Sequence, residues 1–269
     1  FDCLEFSENL RWIDVASDMA FTYVDLLAHR QPGLANWFIN EVLSRSGDYE
    51  AALVLRFYAV YRALVRAKVA AMSAAHGQED SPDALTYLAL AERLMSPPKI
   101  CLVITHGLSG CGKTHASGAL LVSDPLACTL RLRSDIERKR LFRMFPDELS
   151  EPTLAAGIYA PDAHLRTYEH LLAVSEMLLR AGWSVIVDAT FLMHADRVNF
   201  RELAEDTGAV FSILAPQATP AQLRQRVQSR LEHGKDASQA SLAVLERQVQ
   251  TLEPLRLEEM LLSTGSPAA

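Results

Sequence analysis

Lys99-Ile-Cys-Leu-Val-Ile-Thr-His106-Gly107-Leu-Ser-Gly-Cys-Gly112-Lys113-Thr114 is the stretch on which the fold turns. Its first half is a short apolar, β-branched run without alternation, as expected of a strand buried on both faces. Its second half fits G-x-x-x-x-G-K-[ST]. Glycines at these positions permit backbone conformations that turn successive N–H groups toward one point. The motif is informative only between a strand and a helix. Residues 113–122, which follow it, have helical character.

The residue types name the ligand's chemistry. A helix N-terminus behind the loop contributes about half a positive charge. Lys113 adds a point charge suited to β- and γ-phosphates, and the Thr114 hydroxyl is a hard oxygen donor for Mg2+. Gly107, Ser109, Gly110, Cys111, Gly112, Lys113 and Thr114 are therefore the expected nucleoside triphosphate site. Cys101, His106, Cys111 and His115 have spacings that superficially resemble a zinc site. That reading fails because Cys101 falls within the strand, the phosphate loop needs the intervening segment, and His115 lies inside the next helix.

Outward from the loop, apolar runs alternate with helical stretches. Strands are predicted at 99–106, 127–132, 183–187 and 209–214, with a short fifth at 260–263. Helices are predicted over 113–122, 135–145, 161–181, 194–207, 220–232 and 238–252. This order implies an α/β fold: a parallel sheet flanked by helices. Upstream of Pro97-Pro98, a natural boundary, the pattern is all-helical. Helices are expected at 14–29, 34–43, 49–75 and 83–94, with Gln31-Pro32-Gly33 as a stop and Ser81 as an N-cap before Pro82. The expected division is residues 1–95 and residues 96–269.

Ligands of open α/β sheets bind beyond the carboxyl ends of the strands, so the residues there carry the chemistry. After the second strand come Arg133, Ser134 and Asp135, with Ser134 and Glu137 at capping-box spacing. Asp135 is placed to orient or deprotonate an attacking hydroxyl. The surrounding basic residues, Arg131, Arg138, Lys139, Arg140 and Arg143, read mostly as a solvated helix face, some of them available to an anionic acceptor. After the third strand, Asp188 is a Walker-B-like carboxylate for Mg2+ or for the acceptor, and Arg133 joins it on the acceptor side. After the fourth, Thr219-Pro220-Ala-Gln222 opens a helix with a capping box. That helix carries a narrow Leu223/Val227 stripe and Arg226 and Arg230 on one face. It reads as a lid whose guanidinium groups meet transferring charge.

The 269 residues carry a net charge of −7, which weighs against general adhesion to nucleic acid. No apolar run is long enough to span a membrane. Four scattered cysteines and no leader-like segment suit a reducing cytoplasm. The opening at Phe1 within an apolar segment reads as a piece of a longer protein.

GLSGCGKT, RSDIERKRLF, GWSVIVDATF, LRQRVQSR and KDASQASLAVLERQ together span most of residues 100–252. Through them the chain resembles the P-loop kinases grouped with polynucleotide kinase, zeta toxin and gluconate kinase, and most of all a bacterial family of predicted kinases. The resemblance implies ATP as the nucleotide, Asp135 as general base, and Arg226 and Arg230 as phosphate contacts. FDCLEF followed by RWIDVASDMAF resembles the C-terminal end of an aminoglycoside-phosphotransferase-like domain. In that likeness Asp2 would bind magnesium, but the catalytic loop and nucleotide lobe would precede this segment, so residues 1–95 are expected to be inactive. The leading expectation is an ATP-dependent kinase of a small-molecule or nucleotide hydroxyl. Three alternatives stay open: a nucleic-acid 5′-end kinase, an ATPase or switch without an acceptor, and a non-catalytic binding module.

Overall fold

The computed structural model describes residues 12–77, 82–96, 98–145, 161–233 and 241–264. The FDCLEF stretch with Asp2, Ser81, Pro97, most of the KDASQAS segment and the side chain of Arg230 lie outside the described residues.

Four helices come first: α1 (Val15–Ala28), α2 (Pro32–Ser46), α3 (Ala51–Ala75) and α4 (Ala84–Met95). The buried side of α3 is a column of small residues, Ala52, Ala59, Ala63, Ala67 and Ala70. Alanines at this spacing bring neighbouring backbones close, and α1 and α4 both pack against α3. Gly47 in the left-handed conformation closes α2. Two expectations are corrected here. Pro32 and Gly33 begin α2 rather than stopping a helix, because proline's fixed φ suits the first helical position. The N-cap of α4 is Asp83, whose carboxylate accepts the Thr86 N–H at 2.8 Å.

The remainder is β1 (Cys101–Thr105), α5 (Lys113–Val122), β2 (Thr129–Arg133), α6 (Ser134–Leu141), α7 (Pro161–Arg180), β3 (Ser184–Asp188), α8 (His194–Thr207), β4 (Val210–Leu214), α9 (Pro220–His233), α10 (Leu242–Thr251), α11 (Leu257–Leu261) and β5 (Ser263–Thr264). The predicted fifth strand is thus displaced, since 257–261 winds into a helix and only Ser263 and Thr264 pair with β4. Helix α6 is shorter than predicted, turning out of helix at Phe142.

The five strands form one parallel sheet in the order β2-β3-β1-β4-β5. All five residues of β3 are buried, as its central position requires. The chain moves from β1 toward the β2 edge, and from β2 and β3 back toward β4. Right-handed crossovers then place α5 on one face and α7 and α8 on the other. Helix α5 lies against β2, β3 and β4 and is covered by α2, while α7 and α8 pack together over β1 to β4.

Strand β2 is a sheet edge, and an unpaired edge is a liability. Asn40 of α2 covers it. Its side chain donates to Thr129 O at 2.9 Å and accepts from Arg131 N at 2.7 Å, in place of a neighbouring strand. Asn36 donates to Leu121 O at 2.7 Å, the Tyr23 hydroxyl to Ala127 O at 3.0 Å, and the Trp183 indole to Ala52 O at 2.9 Å. One apolar core therefore runs from Tyr23 and Leu55 in the helices to Leu130, Val185 and Phe200 around the sheet.

Candidate functional site

The loop between β1 and α5 has the shape its sequence predicts. Gly107, Gly110 and Gly112 all have positive φ, at 137°, 88° and 101°. At Gly110 the need is steric as well as conformational, because a Cβ would lie 3.0 Å from Leu223 O. Gly112 forms the left-handed N-cap of α5, and no side chain caps that end, which leaves the first N–H groups of the helix without a side-chain cap. The Lys113 ammonium donates to Gly107 O at 2.9 Å and Leu108 O at 2.8 Å. The buried Cys111 thiol lies 3.8 Å from the same ammonium.

Asp188 ends β3 beside α5. Its Oδ2 accepts from Ser117 Oγ at 3.1 Å, and Arg131 on β2 donates to Thr114 O at 3.3 Å. Burial lowers the Arg131 pKa, while the Asp188 charge opposes that shift. Thr105 fixes the turn after β3: its hydroxyl donates to Ala189 O at 2.6 Å and accepts from Ala189 N at 3.0 Å. Gly107 N–H then donates to Thr190 O at 3.1 Å, joining the two loops.

Sequence reading did not single out Ser117 or Thr105. A hydroxyl four residues past the loop lysine and another at a strand end are the available signals, and neither is specific. His106 is buried, with Nδ1 3.0 Å from Phe191 O. Burial depresses its pKa, and the Phe191 carbonyl only partly offsets this.

The residues expected on the acceptor side have these surroundings. Arg133 and Asp188 are register partners on β2 and β3, so both stand at the same sheet edge as the loop. Asp135 lies in the first turn of α6, partly exposed, 3.8 Å from Arg138 Nη1. The expected Ser134–Glu137 capping box is absent. Glu137 is buried instead, where it accepts from the Tyr49 hydroxyl at 2.9 Å, lies 3.1 Å from His170 Nε2, and pairs with Arg140. Burial would raise its pKa, but these partners hold it below the usual carboxylate range. Apart from the exposed Arg143, the basic run is likewise not a solvated face. Lys139 is 1% exposed and Arg140 donates to Ser44 O at 2.5 Å.

After β3, Thr190 Oγ1 lies 3.3 Å from the Tyr168 hydroxyl, which accepts from Phe191 N at 3.1 Å. The Tyr168 ring lies against His164, whose Nε2 is 3.1 Å from Asp196. The turn at Phe191 is held by a buried pair, in which Arg197 Nε donates to Glu259 at 2.7 Å and Arg197 Nη1 donates to Phe191 O at 3.0 Å.

Helix α9 has the predicted capping box: Gln222 Oε1 accepts from Thr219 N at 2.9 Å, and Thr219 Oγ1 accepts from Gln222 N at 3.3 Å. Leu223 and Val227 are buried with Cys111 of the loop and Leu245 of α10. Arg226 Nη1 donates to Gly110 O at 3.3 Å. Arg230 belongs to the same helix by its backbone. Gln248 of α10, the last residue of the KDASQASLAVLERQ stretch, accepts the Ser109 N–H at 2.8 Å.

No helix among the described residues is long and apolar enough to cross a membrane. Uncharacterized proteins of Mycobacterium tuberculosis (strain ATCC 25618 / H37Rv) and Mycobacterium bovis are 31% identical over 247 residues, 91% of this chain and 49% of each relative. The chain thus spans about half the length of the curated relatives it matches. Among solved structures, the Mycobacterium tuberculosis APS kinase CysC in complex with AMPPNP and APS is 21% identical, with a TM-score of 0.40, over 51% of this chain and 73% of that one. A gluconokinase from Sinorhizobium meliloti 1021 is 19% identical, with a TM-score of 0.40, over 61% and 81%. The α/β sheet with its glycine loop is the P-loop nucleotide-binding fold. Residues 102–255, more than half the chain, match the family described as AAA domain, and the chain belongs to that family.

Proposed function

We propose that the chain is an ATP-dependent phosphotransferase of the P-loop kinase type, moving the terminal phosphate to a hydroxyl of a small molecule or nucleotide. One observation carries the reading. The glycine loop with Lys113, the buried Asp188 and the partly exposed Asp135 lie beyond the carboxyl ends of three neighbouring strands, β1, β3 and β2. A loop for phosphate alone would need neither carboxylate.

Gly107 to Thr114 hold the triphosphate through backbone N–H groups, and Lys113 balances its charge. Thr114 and Asp188 offer hydroxyl and carboxylate oxygens, a donor set that fits magnesium. When bound, the ion neutralises charge on the phosphates. The acceptor oxygen forms a bond to the γ-phosphorus as the bond to the β-phosphate oxygen breaks, and ADP leaves. Asp135 orients the acceptor hydroxyl and takes its proton. Its place in the first turn of α6 makes orientation its larger contribution. Arg226 and Arg230 stabilise the charge of the transferring group. Arg133 and Asp188 face the acceptor side. The inward commitment of Lys139 and Arg140 supports a small acceptor over a nucleic-acid strand. Residues 1–95 are read as a helical companion without transfer chemistry of its own.

The test is a metabolite and nucleoside panel with ATP and magnesium, run on the wild type and Lys113→Ala. Transfer to one acceptor class, lost by at least a hundredfold in the variant while its melting temperature holds, is the expected result. Undiminished transfer by Lys113→Ala would refute the assignment.

A further inference from the structure

One peptide of the phosphate loop, shared by Leu108 and Ser109, is held from both sides. Its carbonyl, Leu108 O, accepts from the Lys113 ammonium at 2.8 Å and from Cys111 N at 3.3 Å. Its N–H, on Ser109, donates to Gln248 Oε1 of α10 at 2.8 Å, across 139 residues of sequence. A backbone N–H only donates, so the atom of the Gln248 amide that faces it is the oxygen. In a trans peptide the C=O and the N–H point opposite ways. Lys113 therefore stands on one side of the loop and Gln248 on the other.

The outer side needs such a partner. Gly107 and Gly110 bracket this peptide with positive φ of 137° and 88°, and glycines restrain the neighbouring backbone least. Ser109 is buried, so its N–H has little access to water. Helix α10 is fixed in place by Leu245, which is buried with Cys111, Leu223 and Val227. Gln248 thus reaches the loop from a seated helix, and its half-buried side chain sets which way the peptide faces. Turning of that peptide would take Leu108 O away from the ammonium.

We propose that Gln248 is a positioning residue for Lys113. It holds the Leu108–Ser109 peptide from outside, so that the carbonyl on the other face keeps the ammonium where the β- and γ-phosphates of a bound nucleotide meet it. The inference rests on the phosphate-loop reading above. Gln248 acts through the peptide and not on the nucleotide.

The test compares the wild type with Gln248→Met, which keeps the length of the side chain and removes the acceptor, and with Gln248→Glu, which keeps an acceptor at the same reach. Melting temperatures serve as the folding control. Without nucleotide, labelling of Lys113 by an amine-reactive reagent, read by mass spectrometry, is expected to quicken about three- to tenfold in Gln248→Met, the factor that one neutral hydrogen bond allows. The exposed Lys68 and Lys99 should label as before. Gln248→Glu should label at the wild-type rate. With magnesium, calorimetric binding of a non-hydrolysable ATP analogue to Gln248→Met should weaken by a similar factor. A merely structural contact leaves Lys113 no more reactive in Gln248→Met than in the wild type, and that result overturns the role of Gln248. So does a Gln248→Glu variant that labels as fast as Gln248→Met, or faster labelling with unaltered analogue affinity. A wild type that binds no analogue overturns the phosphate-loop reading, and the role with it.

Discussion

Asp188 is legible as a candidate site residue because a carboxylate ending an apolar strand has few structural excuses. The structure adds its partners. Ser117 donates to it, and the neighbouring Arg131 supplies the opposite charge. Asp188→Asn keeps the shape and a hydrogen-bond partner for Ser117 but removes the charge. The expected outcome is a loss of phosphoryl transfer of roughly a hundredfold, with a melting temperature within a few degrees of wild type. Steady-state transfer and a thermal melt on one preparation check it, and full activity in the variant would remove Asp188 from the site. Gly110 is the companion case, since its positive φ and the nearby Leu223 carbonyl both exclude a side chain there.

At the scale of elements, α2 does for β2 what another strand would do. The Asn40 amide is the right size to bond both a C=O and an N–H two residues apart on the same strand edge. Alanine at this position leaves two backbone groups unsatisfied at a buried contact. Asn40→Ala is expected to cost about 2 kcal/mol, lowering the melting temperature by roughly 4–8 °C. Asn40→Asp retains the acceptor and loses the donor, and should fall between. A melt of each variant decides, and equal stability of all three would show that the edge is protected in another way. The same clasp holds the strand that ends at Arg133 and leads into Asp135. The helical segment is thereby coupled to the candidate acceptor side through β2.

The whole molecule is tied together by buried carboxylates, and this sets its response to acid. Glu259 is 3% exposed. Burial alone would raise its pKa, but Arg197, the Arg256 N–H and His194 bring it down to about 2. A folded-state value below the unfolded one means stability fully present above pH 4.5 and lost as pH falls toward 2. For this group alone the gap corresponds to roughly 3 kcal/mol. Glu137, joining the α2–α3 turn to α6 and α7, acts in the same direction. His106, depressed by burial, begins the loss earlier, as the unfolded chain takes up a proton below about pH 6.5. The melting temperature should therefore decline gently below pH 6.5 and steeply below pH 4.5. Glu259→Gln should be less stable at neutral pH and flatten the steep limb. A variant curve parallel to wild type would show that this ion pair does not govern acid stability.

The sequence by itself determined the α/β class, the strand-loop-helix around Lys113 and the capping box at Thr219. Each is built from residues close together in the chain and acting on the local backbone, so spacing encodes it. The start of α2 at Pro32 and the cap at Asp83 were misplaced by a few residues, because proline and acidic side chains can either end or begin a helix and the local sequence does not say which. Only the tertiary structure decided that Glu137 abandons its cap for Tyr49, that Asn40 closes the β2 edge, and that Gln248 occupies the Ser109 amide. These are single side chains meeting groups 88, 91 and 139 residues away. Such contacts obey no periodicity and exist only once the sheet has fixed where each element lies.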